Sequence, residues 1–195
     1  MNVLVVLAHP NADSFNHAIA QHVVDTLTGA GHEVHLLDLY ALGSRAAMSA
    51  DERTAYHTDH PILDPVIAEH AALVQSVDTL VFVYPTWWSS LPAILKGWLE
   101  RVMVPGVAFV FDDSGKVQRN LMHIRRIVGI STYGSPRLYV RAINDNGRRT
   151  LMRVLRLSCG WRTRGRWLGL YAIDTATAAQ RAAFLRRVDR RMRSL

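Results

Sequence analysis

Uninterrupted apolar runs alternate along the chain with stretches whose apolar residues recur every three or four positions. Val3-Leu4-Val5-Val6-Leu7, within Met1 to Ala8, is the first such run, and Glu33 to Leu37 the second. Thr79-Leu80-Val81-Phe82-Val83-Tyr84 is the third, Arg125 to Ile130 the fourth and Arg166 to Ile173 the fifth. Continuous apolar runs without alternation predict strands buried on both faces, as in a parallel sheet. Between them the spacing predicts helices. One runs from Ser14 through Leu27, with Phe15, Ile19, Val23 and Leu27 on one face. Another spans Ile62 to Gln75, with Ile62, Val66, Ala68, Leu73 and Val74 as its apolar members. Leu91, Ile94, Leu95, Trp98, Leu99 and Val102 form a single stripe. Gly147 to Leu157 and Thr175 to Met192, the latter with Ala179, Ala182, Leu185 and Val188 toward the sheet, complete the set, and Asp51-Glu52-Arg53 starts a short helical turn.

Strand then helix, repeated five times, predicts an α/β fold. It is a doubly wound five-stranded parallel sheet, order 2-1-3-4-5, with helices on both faces, in one domain over 1–195. In such sheets ligands bind at the carboxyl ends of the strands, so three loops carry the interest. His9-Pro10 ends the first strand, and Asn11 to Ser14 is a polar turn at a helix N-terminus, a ready anion site. Pro85 stops the third strand, and Trp87 and Trp88 follow it before a helix that Ser89 or Ser90 caps, with Pro92 in its first turn. Ser131-Thr132-Tyr133-Gly134-Ser135 follows the fourth strand, small and hydroxylic enough for its amides to face a ligand. A phosphate site, a flat aromatic wall and a row of hydrogen bonds on one sheet edge match what a flavin needs.

Composition narrows the classes. No run of 18 apolar residues occurs, so no spanning helix is expected. The chain begins directly in an apolar strand, so no signal peptide is expected. Cys159 is the lone cysteine, so neither an intramolecular disulfide nor a Cys-rich metal site is expected. His57 and His60 lack a carboxylate or cysteine at ligand spacing, so no metal is assigned to them. A cytoplasmic setting follows. The net charge is +7, unevenly placed: residues 1–118 hold 5 Lys and Arg against 13 Asp and Glu, and residues 119–195 hold 18 Arg against 3 acids. That asymmetry fits an anionic partner of the second half or a solvated Arg-rich surface.

The motifs carry a resemblance. Trp88 to Trp98, Trp-x-x-x-Pro-Ala-Ile-Leu-Lys-Gly-Trp, resembles the flavin loop and following helix of the flavodoxin-like NAD(P)H:quinone oxidoreductases. That family includes DT-diaphorase and the small bacterial quinone reductases. His9-Pro10 followed by Ser14-Phe15-Asn16 resembles the family's flavin-phosphate loop, and Asp38-Leu39-Tyr40 and Ser131-Thr132 also match, in a likeness covering nearly the whole chain. The resemblance implies flavin contacts from His9, Ser14, Phe15, Asn16, Pro85, Thr86, Trp87, Trp88, Ser131, Thr132, Tyr133, Gly134 and Tyr139. It implies Tyr139 as the catalytic hydrogen-bond donor to the flavin O2 edge, and Trp87 and Trp88 as the acceptor slot. Tyr133 stands where the family has glycine. Asp145 stands where larger members have a histidine that assists the tyrosine, so their two-residue mechanism is not carried over.

By that resemblance the chain reduces quinones or similar flat acceptors by two-electron ping-pong hydride transfer, with NAD(P)H as donor and FMN or FAD as cofactor. Backbone amides at 86–88 and 131–135 are the expected donors to the ring. NADH and NADPH both stay open, the basic second half leaning toward the extra phosphate. A homodimer is implied, with the site between subunits, and neither nucleic acid nor stable membrane insertion. Two other readings remain: a flavin-binding ancillary subunit of a potassium efflux system, and an Arg-based nucleic-acid binder without any known module.

Overall fold

A computed structural model describes residues 1–195. Five strands form one all-parallel sheet: β1 (Asn2–Leu7), β2 (Glu33–Asp38), β3 (Thr79–Thr86), β6 (Arg126–Tyr133) and β7 (Arg164–Leu170), in the order β2-β1-β3-β6-β7. With β4 (Phe109–Phe111) and β5 (Val117–Arg119) set apart as a small antiparallel hairpin, this is the 2-1-3-4-5 order expected of the flavodoxin-like fold. The middle strands are the most apolar because both their faces are covered: every side chain from Val3 to Leu7 and from Thr79 to Pro85 is buried.

One face of the sheet is covered by α1 (Phe15–Gly29) and α7 (Ala178–Met192), through Ile19, Val23 and Leu27 against Phe184, Val188 and Met192. The other is covered by α3 (Pro65–Ser76), α4 (Ala93–Val102) and the helical run of residues 146–157. The α4 stripe is buried at all six expected positions, with Trp98 packed edge-on against Phe82 at 6.3 Å. Its indole N–H donates to His70 Nδ1 at 3.2 Å, which leaves the His70 proton on Nε2. Burial pushes the His70 imidazole below its ordinary value, so it stays neutral.

Several boundaries differ from the expectation. Pro85 does not stop β3: it pairs with Thr132, and Thr86 with Tyr133, because a proline's missing N–H removes only one rung of a ladder. Likewise β6 continues through Ser131, Thr132 and Tyr133, which are strand residues and not loop. Ile62 lies before α3, whose cap is Asp64 and whose buried face is Ile67, His70, Ala71 and Val74. Val66 and Ala68 face solvent, since the helix begins at Pro65 and turns the stripe by a residue. In α7 the inward side is likewise Phe184, Val188 and Met192, and Ala179 is exposed. Neither Ser89 nor Ser90 caps α4; Pro92 holds the N-cap position without a side-chain bond.

The segment between β2 and α3 is tied down by a buried ion cluster. Arg101, on α4, reaches Glu52 Oε1 at 2.6 Å, Asp64 Oδ2 at 2.6 Å and the Arg45 carbonyl at 3.0 Å. Glu52 also closes a capping box with Ser49 on α2 (Ala50–Ala55). Burial pushes the Glu52 carboxyl up, but the Ser49 amide and Arg101 outweigh it and hold it below its usual value. For Asp64, the Arg101 hydrogen bond does the same. Gly97 is required here: a Cβ at that position would sit 1.9 Å from the Ala46 carbonyl oxygen.

Candidate functional site

The carboxyl ends of β1, β3 and β6 meet along one edge, and each delivers a different chemistry. After β1, Ser14 caps α1 by accepting from the His17 amide at 3.3 Å. His17 Nε2 lies 3.0 Å from Asp38 Oδ2 at the end of β2, and its Nδ1 lies 3.0 Å from Ser14 Oγ. Facing a carboxylate, Nε2 carries a proton, and in the tautomer protonated only there Nδ1 accepts from the serine hydroxyl. His9 stands edge-on to His17, with ring centroids 6.2 Å apart, and 6.0 Å from Trp87. Burial holds the His9 imidazole below its ordinary value, so it is neutral at pH 7. The amides of His9, Phe15 and Asn16 have no intramolecular acceptor, as expected of a helix start. Together they form a compact set of donors suited to a phosphate.

Asn16 connects this turn to the next strand end. Its Nδ2 donates to Thr132 Oγ1 at 3.0 Å, and both residues are buried. Asn16 Oδ1 is buried without a partner. A buried acceptor left unmet costs about 1–3 kcal/mol, so its persistence beside the donors at residues 15 and 16 points to a ligand hydroxyl. Phe15 does not face the edge: its ring packs on Phe184 and beneath Arg181, leaving only its amide for a ligand.

A cleft of about 280 Å³ lies after β3 and β6, lined in part by Thr86, Trp88, Tyr133, Gly134, Tyr139 and Asp145. Its β3 wall is a tight turn, Trp87 to Ser90, closed by two reciprocal backbone bonds of 3.3 and 3.0 Å. Trp88 and Ser89 at its centre have φ of 46° and 59°. Left-handed backbone at both central positions is the type I′ geometry, which favours Asn-Gly and is strained for Trp-Ser. The Trp88 side chain stands fully in solvent, 100 % exposed, at the mouth of the cleft. The amides of Trp88, Ser89, Gly134 and Ser135 have no intramolecular acceptor. The Trp87 amide, expected as a donor, is spent on Ser90, and Ser131 and Thr132 belong to the sheet ladder. Their side chains are also engaged, since Ser131 Oγ lies 2.8 Å from Thr86 Oγ1.

The floor of the cleft holds a pair that the sequence did not reveal as one. Tyr133, buried and stacked on Tyr171 at 4.5 Å, donates from its hydroxyl to Asp145, 3.1 Å from each carboxylate oxygen. Burial raises the Asp145 carboxyl above its usual value, against the lowering pull of Tyr133, Arg148 and Arg149. Burial also drives the Tyr133 phenol far up, so it remains a proton donor. Asn144 and Asp145 have φ of 81° and 44°, and this strained kink between α5 (Arg137–Ala142) and α6 (Asn146–Arg149) aims Asp145 inward. Tyr139, on α5, is 56 % exposed at the rim.

Of the residues singled out from sequence, Thr86, Trp88, Tyr133, Gly134 and Tyr139 therefore line one cleft. His9, Ser14 and Asn16 lie at the adjoining turn. Pro85, Ser131 and Thr132 act through the sheet that carries the site. His17 and Asp38 are tied to the Ser14 turn, and the facing of α1 and β2 brings them there. Cys159 is buried, its thiol pushed up to about 11, away from this edge.

Comparison with known proteins agrees with this fold. The family model described as "Flavodoxin-like fold" matches residues 1–189. The rat NAD(P)H dehydrogenase (quinone) 1 is 32% identical over 154 residues, covering 70% of this chain and 55% of that protein. The human ribosyldihydronicotinamide dehydrogenase (quinone) is 30% identical over 165 residues, covering 75% of this chain and 70% of that protein. The chain thus spans little more than half the length of the rat relative. Among solved structures, Smu.1420 from Streptococcus mutans UA159 superposes with a TM-score of 0.85 at 27% identity, each chain covered completely.

Proposed function

Because this chain belongs to the flavodoxin-like NAD(P)H:quinone oxidoreductase family, we propose that it is a flavin-dependent dehydrogenase that passes electrons from NAD(P)H to quinones or similar flat acceptors. The observation that carries this reading is the buried, partnerless Asn16 Oδ1 between the phosphate turn and the cleft. It suits the polyol of a flavin mononucleotide unit, which FMN and FAD share. A bound flavin supplies two-electron acceptance and donation, which lets donor and acceptor use one slot in turn.

The protein's own part is binding and charge placement. The amides of His9, Phe15 and Asn16 hold the phosphate. Those of Trp88, Ser89, Gly134 and Ser135 donate along the ring edge, as preorganised dipoles that cost no reorganisation during reaction. Tyr139 donates from the rim, and the Tyr133–Asp145 pair holds a proton at the floor. Trp88 walls the slot that donor and acceptor share. Its exposure, with that of Tyr139 at the same mouth, fits a second copy of the chain completing the slot as a homodimer.

The test is the visible spectrum of the purified protein during anaerobic addition of NADPH. Flavin bands should bleach, then return when a benzoquinone is added. Initial rates against donor at several fixed acceptor levels should give parallel reciprocal plots. A protein that gains no bands when supplied with FMN or FAD would sink the proposal.

A further inference from the structure

The cleft does not end at Asp145. Beyond it, α5, α6 and the π-helical turn at Thr150–Leu155 line a groove of about 630 Å³, which shares Val140 and Asp145 with the cleft. Six arginines face this groove: Arg137, Arg141, Arg148, Arg149, Arg153 and Arg156. None of them makes a salt bridge. The one acid in the groove wall, Asp145, is engaged by Tyr133. Arg149, Arg153 and Arg156 fall at i, i+4 and i+7, so one helix ridge carries stacked like charges that destabilise it when nothing compensates. Arg148 is held over the Trp167 ring, 5.8 Å from its centroid, and not left free in solvent. The helix is also widened here, and π-type turns are frequent where helices carry function.

We propose that this groove binds the phosphate groups of the nicotinamide dinucleotide donor and makes the chain favour NADPH over NADH. The assignment rests on the flavin-reductase reading above. The argument is one of shape and charge. Planar guanidinium groups pair with phosphate through two parallel hydrogen bonds, which lysine cannot reproduce. A ligand with a flat head in the cleft and a polyphosphate tail fits a cleft that opens into an uncompensated arginine groove. Six guanidinium groups exceed what one pyrophosphate requires, and the additional phosphoryl group of NADPH brings about two further negative charges. The positive field does run on past Arg156 to Arg162, Arg164 and Arg166. Those arginines lie toward the amino end of β7, away from the cleft, and they serve as the internal control.

The experiment titrates the flavin-loaded protein with NADP+ and with NAD+ by calorimetry, so that no turnover occurs. Three proteins are compared: the unaltered chain, the pair Arg149→Gln/Arg153→Gln, and the control pair Arg162→Gln/Arg164→Gln. Melting curves and flavin content establish that each variant is folded and loaded. NADP+ should bind the unaltered chain about tenfold tighter than NAD+. The groove pair should lose that preference and the control pair should keep it. Equal affinity for the two nucleotides, or equal loss in both pairs, overturns the proposal. So does tight, salt-sensitive binding of duplex DNA to which both pairs contribute equally, which would make the arginines a nucleic-acid surface. Adenosine 2′,5′-bisphosphate added to the flavin-free protein separates the two failures. If no flavin binds, the reductase reading falls by itself, while loss of this probe's binding in the groove pair still locates the phosphate site.

Discussion

Two residues at the cleft carry costs that the fold alone does not need. Ser89 holds a left-handed backbone at φ 59°, which costs a non-glycine residue about 1–2 kcal/mol. Ser89→Gly should raise the stability of the protein by about 1 kcal/mol, read as a higher urea midpoint at unchanged slope. No gain would show that the serine side chain itself holds the turn. Asp145 is the second case. Its carboxyl titrates above the unfolded value because burial penalises its charge. Its contribution is therefore fully present below the unfolded value and is lost as pH rises through the raised folded value. Asp145→Asn keeps a polar group beside the Tyr133 hydroxyl, suits the left-handed backbone and removes that loss. The stability difference between variant and parent should grow in the variant's favour from pH 4 to pH 7, followed by denaturant unfolding. A constant difference across that range would mean that Asp145 does not change charge between the two states.

At the scale of elements, the segment between β2 and α3 depends on α4. Arg101 is buried on α4 and compensates Glu52 and Asp64 together. Removing one member of such a cluster strands the others, at about 3–5 kcal/mol. Arg101→Met should show that loss near neutral pH and a smaller one in acid. The reason is the sign of the shifts: both carboxyls are held below their ordinary values, so their contribution is present above about pH 4 and is lost as pH falls. A melting temperature unchanged at pH 7 would contradict this. Gly97→Ala attacks the same contact without touching charge, because its Cβ would drive the Ala46 backbone off α4. The Lys-Gly-Trp part of the sequence motif thus has two separate reasons. The glycine admits a neighbouring backbone, and Trp98 fills the core beneath β3.

For the whole molecule, exposed apolar side chains are scattered over several surfaces, and those that line the cleft are Trp88 and Tyr139. Covering that mouth with a second copy is expected to give a dimer at micromolar concentration by light scattering, and Trp88→Ala should weaken both assembly and quinone turnover. A monomer that retains full activity would exclude a shared slot. The same surface separates what was legible in the sequence from what was not. The five strands and their order were readable because burial on both faces leaves a local apolar signature, whereas β3 and β6 run further into the expected loops, through Thr86 and Tyr133. The face of α3 was misjudged by about one residue, while in α7 Val188 and Leu185 pack as expected and Ala179 does not. The helix start sets the phase, and small or branched residues such as Ala179 and Val66 carry too little weight to choose a side.

Local pattern by itself determined the architecture of this protein. It placed strands where apolar runs lie, helices where the period changes, and a helix N-terminus and exposed aromatics at one edge, since both periodicities are read within a dozen residues. The tertiary structure alone decided what meets across the chain. It joined Asn16 to Thr132, Arg101 to Glu52 and Asp64, and Tyr133 to Asp145 beneath the cleft. It also gathered six arginines from 137–156 into one groove. These partners are brought together by the path of the backbone, and a contact between distant positions leaves no periodic trace in the sequence on either side of it.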